Sequence, residues 1–323
     1  MFDEDKMQSA STQNVRQPPT VQLHALSAGH FALPEEQFHE CPSTRRTTRI
    51  VFDLGLRRDT ARYPQPIQNH IQTRQPLTTD PDVVKSLRHG GLSPDDIDYV
   101  MYSHVHWDHV GEPRDFPRST FVVGNGSLDV LHGRSVTLRG NHSFFEADLL
   151  DPTRTIELSD PGSKEESSAH TGTPNGSSPH SIFSKPWQAL DHLPSVLDIF
   201  GDGSLYIVDA PGHLPGHINL LARVADTNAP SGTRFVYLAG DACHDRRILC
   251  NEKEIGEWDD AQGHRCCIHA DRPKAEETIQ RIRVLESQGA EVILAHDSDW
   301  EGNERNRSRF FGASPATPKA KLS

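Results

Sequence analysis

The sequence has no excess of basic residues, no long apolar run and no paired-cysteine motif, and each absence removes a class of function. Its 323 residues carry 33 Lys and Arg against 45 Asp and Glu, a formal net charge of -12. Proteins that grip phosphate backbones present a basic stripe, so nucleic acid is not an expected partner. Pro, Gly and charged residues break every hydrophobic run before the roughly 18 apolar residues that a spanning helix needs, so no membrane partner is expected either. The start, Met1-Phe2-Asp3-Glu4-Asp5-Lys6, has no apolar core behind a basic region and does not read as a secretory signal. The cysteines, Cys41, Cys243, Cys250, Cys266 and Cys267, are odd in number and form no C-x-x-C pair, which fits reduced thiols and a cytoplasmic protein. The hydrophobic fraction of 34% stays slightly low even with glycine counted in, against about 45–50% for globular chains.

Histidine, by contrast, is plentiful: 19 residues of the commonest metal-ligand type. Their placement follows from the organisation of the chain. Residues 1–20 and 312–323 lack periodicity and read as a disordered leader and tail. The stretch 159–186 is dominated by Ser, Gly, Pro and charge and reads as a low-complexity surface insertion within one domain over 21–311. Short apolar runs predict strands at Arg49–Leu54, Asp98–Ser103, Thr120–Val123, Ser204–Asp209, Ile218–Val224, Arg234–Ala239 and Glu291–Ala295. Helices are expected over Pro273–Ser287, capped by Asp271, and over Pro81–His89, capped by Asp80, with a further turn at Ser93-Pro94. Strands in series with helices between them imply an α/β fold of two packed sheets with helices outside.

The expected strand ending at Ser103 runs directly into His104-Val105-His106-Trp107-Asp108-His109. In an extended segment His104 and His106 point to one side and can grip one metal, while Asp108 and His109, past the turn, can face a second. A metal-free histidine-rich turn is the plain alternative. Three more donors stand where strands end: His213, Asp241 and His296. Each alone reads as a loop residue or helix cap. Together with the first cluster they make five histidines and two aspartates at one edge of the sheets.

This order resembles the metallo-β-lactamase superfamily, whose hallmark H-x-H-x-D-H is followed by a histidine, an aspartate and a histidine at strand ends. Phe52-Asp53-Leu54-Gly55-Leu56-Arg57, Ser103 to His109 and Pro211-Gly212-His213-Leu214-Pro215-Gly216-His217 look like the acyl-homoserine-lactone lactonase and fungal γ-lactamase branch. The resemblance implies an αββα sandwich of two mixed β-sheets and a hydrolase with two Zn2+ per chain. It implies that His104, His106 and His213 hold the first ion, that Asp108, His109 and His296 hold the second, and that Asp241 bridges them. The expected substrate is a small cyclic ester or cyclic amide, a lactone, γ-lactam or benzoxazolinone-type carbamate, opened by metal-bound hydroxide in detoxification or secondary metabolism. Two Zn2+ set against Asp108, Asp241 and a hydroxide leave a centre of about +1, which polarises a carbonyl and lowers the pKa of bound water. Asp108 is then the residue that passes a proton to the leaving group. An iron enzyme oxidising sulfur compounds, or a ligand-binding relic, is the alternative on the same scaffold.

The chain departs from the branch at His244, which stands where a tyrosine orients the substrate carbonyl; an imidazole donates one hydrogen bond from a different reach. The stretch before Ile50 is short for the further strand expected there. Asp53 is expected to orient a ligand histidine, and His217 to belong to the turn. Trp107, Arg57, Tyr63 and Trp258 are weaker candidates for substrate contact. His264 and His269 beside Cys266-Cys267 are expected to be structural, since adjacent cysteines chelate one ion poorly.

Overall fold

The computed structural model describes residues 18–28, 36–40, 47–135, 138, 144–163, 182–260 and 263–313. Most of the expected leader and tail, and 164–181 of the expected insertion, lie outside these residues. The first sheet is built in chain order from β1 (Gln22–Leu26), β2 (Glu36–Glu40), β3 (Ile50–Phe52), β4 (Tyr99–Met101), β5 (Thr120–Val123) and β6 (Thr155–Glu157). From β3 to β6 the pairing is parallel, whereas β1 and β2 pair antiparallel. The second sheet takes β7 (Gln188–Leu190), β8 (Leu193–Asp198), β9 (Leu205–Asp209), β10 (Ile218–Ala225) and β11 (Thr233–Leu238). After a separate hairpin, β12 (Glu257–Asp259) and β13 (Arg265–Cys267), strand β14 (Glu291–Ile293) returns parallel to β11.

Strand alternation sorts the side chains into layers. Ile50, Phe52, Tyr99, Met101 and Val122 face Leu205, Ile207, Leu220, Ala222, Val236 and Leu238 in one core between the sheets. The intervening residues face outward on both sides. Val51, Val100, Phe121 and Val123 pack with Val83, Val84 and Leu87 of a helix, and Val208, Leu221, Tyr237 and Val292 pack with Ala275, Ile279, Ile282 and Leu285 of another. Strands buried on both faces explain the unbroken apolar runs. The α-helices of the described residues, in chain order, are α1 (Gln65–Ile71), α2 (Val83–His89), α3 (Trp107–Val110), α4 (Ser127–Leu131), α5 (Arg246–Leu249), α6 (Arg272–Ser287) and α7 (Ser298–Gly302), and α2 and α6 form the outer layers.

Helix α6 starts as expected: the Asp271 carboxylate accepts from the Lys274 N–H and proline occupies the first turn. Helix α2 starts two residues later than expected. Its cap is Asp82, which accepts from the Lys85 N–H at 2.9 Å, while Asp80 pairs with the Lys85 ammonium at 2.6 Å. An N-cap carboxylate accepts from an N–H two or three residues on, which Asp82 does here, and Pro81 stays outside the helix. The region before Ile50 is likewise corrected: β2 pairs with β3 and carries β1 outside it. That strand, Glu36-Gln37-Phe38-His39-Glu40, is too polar to register as an apolar run. Ile282 is fully buried between α6 and the second sheet. Ile282→Ala should therefore cost about 2–5 kcal/mol, measured as a lowered urea midpoint with an unchanged slope.

Candidate metal centre

The seven donors singled out in the sequence converge just past the ends of strands. Ser103 follows β4, the chain stays extended through His104 to His106, and α3 then turns Asp108 and His109 inward. His213 stands in the turn after β9, Asp241 follows β11 and His296 follows β14. Among the seven, two clusters result, His104–His106–His213–Asp241 and Asp108–His109–His296, each with its donor atoms within 4.8 Å of one another; His244 makes two further groups of this kind, with His213 and His269 and with Asp241 and His296. Gly212 sets the first by close approach. Its φ is +129°, and a Cβ there would lie 2.2 Å from the Ala275 backbone nitrogen, so the loop bearing His213 rests on α6 with no side chain between.

Hydrogen bonds aim the rings. The Asp53 carboxylate, buried, accepts from the Ser103 N–H at 2.7 Å and from the Ser103 hydroxyl at 2.6 Å. It also lies 2.9 Å from His109 Nδ1. With its proton committed to Asp53, the Ser103 hydroxyl accepts from His104 Nδ1 at 2.9 Å. Both rings therefore carry a proton on Nδ1 and turn Nε2 inward, the arrangement in which an outer carboxylate orients a ligand imidazole. His217 acts on the backbone instead. Its Nδ1 donates to the Ala210 carbonyl at 3.0 Å and its Nε2 accepts from the Asp241 N–H at 3.1 Å.

The inner atoms crowd together and satisfy one another only in part. His106 Nδ1 meets His104 Nε2 at 2.8 Å and His213 Nε2 at 3.0 Å. Asp241 Oδ2 lies 3.4 Å from His213 Nε2 and 3.7 Å from His104 Nε2, while its Oδ1 lies 2.9 Å from His296 Nε2 and 3.3 Å from His109 Nε2. Nevertheless, Asp241 Oδ1 and His109 Nε2 are buried without a hydrogen-bond partner. Buried polar atoms are almost always paired, and converging imidazole and carboxylate donors of this kind fit a divalent cation of borderline softness. Burial chiefly holds His104 and His213 well below the ordinary imidazole pKa, with neighbouring histidines adding to it, and pushes His217 down to about 4. Burial opposes charge on His109 as well, but Asp241 and Asp53 outweigh it and raise His109 well above its ordinary value. Asp241 is held well below its own, because His296, His109 and His244 outweigh burial.

Residues 44–226, more than half the chain, match the family described as the metallo-beta-lactamase superfamily. The chain belongs to this superfamily. It is 29% identical over 275 residues to "Cytochrome P450 monooxygenase mpaDE" of Penicillium roqueforti (strain FM164), a match covering 80% of this chain and 29% of that one. The chain thus spans less than a third of that relative's length. It is 30% identical over 197 residues to "Gamma-lactamase MBL2" of Gibberella moniliformis, covering 60% of this chain and 70% of that one. It shares its fold with a B. thuringiensis AiiA mutant crystallised with N-decanoyl-L-homoserine, at a TM-score of 0.53 and 15% identity over 89% of this chain and 96% of that one. The superfamily fold and its His/Asp clusters imply divalent metal binding.

The remaining candidates separate. His244 Nε2 lies 2.9 Å from Asp241 Oδ2, and its ring stacks on His296 with centroids 5.3 Å apart. Arg57 and Tyr63 do not face the donors. Arg57 is 1% exposed and donates to the carbonyls of Gly111 and Arg62 and to Glu146, while the Tyr63 hydroxyl accepts from the Arg57 N–H and donates to the Trp107 carbonyl. Trp107 is buried against Tyr63 and His70. His264 is exposed on the hairpin side, but His269 is buried with its ring against both His213 and His244. Sequence reasoning missed this role of His269, and also Phe145, whose ring lies parallel to His106 at 5.8 Å; neither follows a strand expected from an apolar run or falls in a spaced motif. A cavity of about 770 Å³ lined by Phe121, Leu131, Leu149, Leu150 and Arg154 contains none of the seven donors. Among the described residues no helix is long and apolar enough to cross a membrane.

Asp53→Asn keeps the size and tolerates the positive φ of 65°, but offers one acceptor oxygen where two are used. Metal affinity, read by competition with a chromogenic chelator, should fall about 10–100-fold with little loss of secondary structure. Because His109 retains its proton above its ordinary 6.5, metal uptake must displace it. Calorimetry in buffers of different ionisation enthalpy should show proton release on loading at pH 7, and apparent affinity should still be rising above pH 6.5.

Proposed function

We propose that this protein is a dinuclear zinc hydrolase that opens a small cyclic ester or cyclic amide, acting in the cytoplasm in detoxification or secondary metabolism. The observation that carries the reading is the convergence of two donor clusters around one shared carboxylate, Asp241, whose oxygens face His213 and His104 on one side and His296 and His109 on the other. His104, His106 and His213 would hold one ion, Asp108, His109 and His296 the other, and Asp241 both. Such ions supply Lewis acidity toward a carbonyl oxygen and an acidified water. The γ-lactamase relative supports a cyclic amide and the lactonase-type fold a cyclic ester.

The protein's own groups divide the work. Burial keeps His104 and His213 neutral, so these two imidazoles bring no competing proton to the centre. Asp108 is the most accessible of the carboxylates near the donors, at 13% side-chain exposure against 5% for Asp241, and its Oδ2 lies 4.0 Å from His109 Nε2. It is the group we assign to carry a proton to the departing alkoxide or amine. His244, beside Asp241 and open to 13%, is assigned to the substrate carbonyl side, as the counterpart of a phenolic donor.

The test is a panel of lactones, γ-lactams and cyclic carbamates with product masses measured: a gain of one water identifies ring opening and the reactive members identify the ring. Metal analysis of the purified protein should find two zinc ions per chain; a single iron with oxygen consumption, or no metal and no turnover, would overturn the reading. Asp108→Asn should lower kcat/KM about 100-fold or more on the preferred ring, and full retained activity would remove Asp108 from the mechanism.

A further inference from the structure

A third group of imidazoles adjoins the two donor clusters. His213, His244 and His269 each offer a ligand atom within 4.8 Å of the other two. The His213 ring centroid is 4.9 Å from that of His244 and 5.3 Å from that of His269, and His244 and His269 are also 5.3 Å apart. The three arrive from separate segments: the turn after β9, the turn after β11 and the approach to α6. Backbone pairing holds two of these segments together, since the Ala270 N–H donates to the His213 carbonyl and the Asp271 N–H to the Gly212 carbonyl, both at 2.9 Å. His213 and His269 are buried and His244 is 13% exposed, so the group is not a solvated histidine-rich turn.

What the group can bind follows from the tautomer of His244. An ionised carboxylate only accepts, so His244 Nε2, 2.9 Å from Asp241 Oδ2, carries the proton and donates it. In the neutral ring the lone pair then sits on Nδ1, an atom that is buried with no hydrogen-bond partner. Such atoms are uncommon and costly. A lone pair beside two further imidazoles is satisfied by a cation, and three imidazoles with water make a full ligand set for zinc. With no carboxylate among the three, the set selects a late transition ion such as Zn2+, Ni2+ or Cu2+ over Mg2+ or Ca2+.

We propose that His213, His244 and His269 form an auxiliary metal site which, when metal exceeds the ions of the main centre, competes with the first cluster for His213. The proposal rests on the reading of that centre through the one shared ring. A neutral imidazole has a single lone pair to give, so an ion on the auxiliary set takes His213 and leaves His104, His106 and Asp241 to the first ion. Excess metal therefore lowers ring opening instead of raising it.

The experiment titrates Zn2+ calorimetrically into full-length protein already loaded with its tight ions, with the fold of each variant checked by circular dichroism. Wild type should take up one further equivalent. His269→Gln and His244→Gln should each weaken that step by more than the about 10–100-fold that loss of an outer partner costs. Asp108→Asn, which alters the second cluster alone, should leave it in place. A further equivalent indifferent to both histidine substitutions is surface binding and overturns the proposal, as does no further equivalent at all. One lost in His244→Gln but kept in His269→Gln belongs with Asp241 and His296 and overturns it too. If His269→Gln does not fold, nitrogen spectra of histidine-labelled wild type decide: the added ion should shift three imidazoles together, and fewer than three overturns the site. If no ring is opened, the ring-opening reading fails while the auxiliary site stands or falls on the titration. If one is opened, the added ion should lower kcat/KM in wild type, relative to the value before its addition, and not in His269→Gln; an unchanged wild-type value with the site filled overturns the competition for His213.

Discussion

One buried carboxylate ties the first half of the molecule to its chemistry. Asp53 ends β3 in a left-handed conformation, φ 65°, and from there receives both hydrogen-bonding groups of Ser103, at the end of β4, and the Nδ1 of His109 on α3. A residue other than glycine in that conformation is strained, and such strain persists where surrounding contacts over-determine it. Here three contacts do so. They lock the end of β3 to the end of β4, fix the tautomers of two imidazoles and set the direction in which α3 departs. The parallel pairing of β3 with β4 makes this possible, because it brings the carboxyl ends of both strands to the same edge.

The second half answers with a different device. The Asp241 carboxylate sits among His104, His213, His296, His109 and His244, and its backbone N–H is received by His217. Burial alone would raise its pKa and keep the histidines neutral. The imidazoles on both sides nevertheless hold Asp241 ionised, and Asp241 with Asp53 holds the proton on His109. The cluster is therefore electrostatically committed to a cation: a proton serves, and a divalent ion serves better because it meets several donors at once.

The site is more legible in the sequence than the scaffold that carries it. His104 to His109, His213, Asp241 and His296 can be picked out because each follows an apolar run long enough to name a strand, and those strands lie between two packed layers where alternation is hidden but hydrophobicity is continuous. The polar strand β2, between β1 and β3, and the three-residue hairpin strands β12 and β13 have no such signature, because none of them contains an apolar run. The cap of α2 shifts from Asp80 to Asp82 because propensity does not say on which side of Pro81 the helix begins. Arg57, a weaker candidate for substrate contact, is a buried brace for the carbonyls of Gly111 and Arg62. A lone arginine in a sequence does not reveal that the groups it will neutralise, Glu112 and Glu146, come from later in the chain. His269 escapes notice for a related reason: its partners, His213 and His244, are brought to it by two separate turns.

The donors are divided between the two sheets. His104, His106, Asp108 and His109 follow β4, while His213, Asp241 and His296 follow β9, β11 and β14. During synthesis, a chain that has not yet reached His213 holds only the first contingent, with neither the shared carboxylate nor the third imidazole of the first cluster. Neither cluster is complete on the first sheet alone: the enclosure forms only when the two sheets close on each other and the last strand, β14, has brought His296 to the same edge.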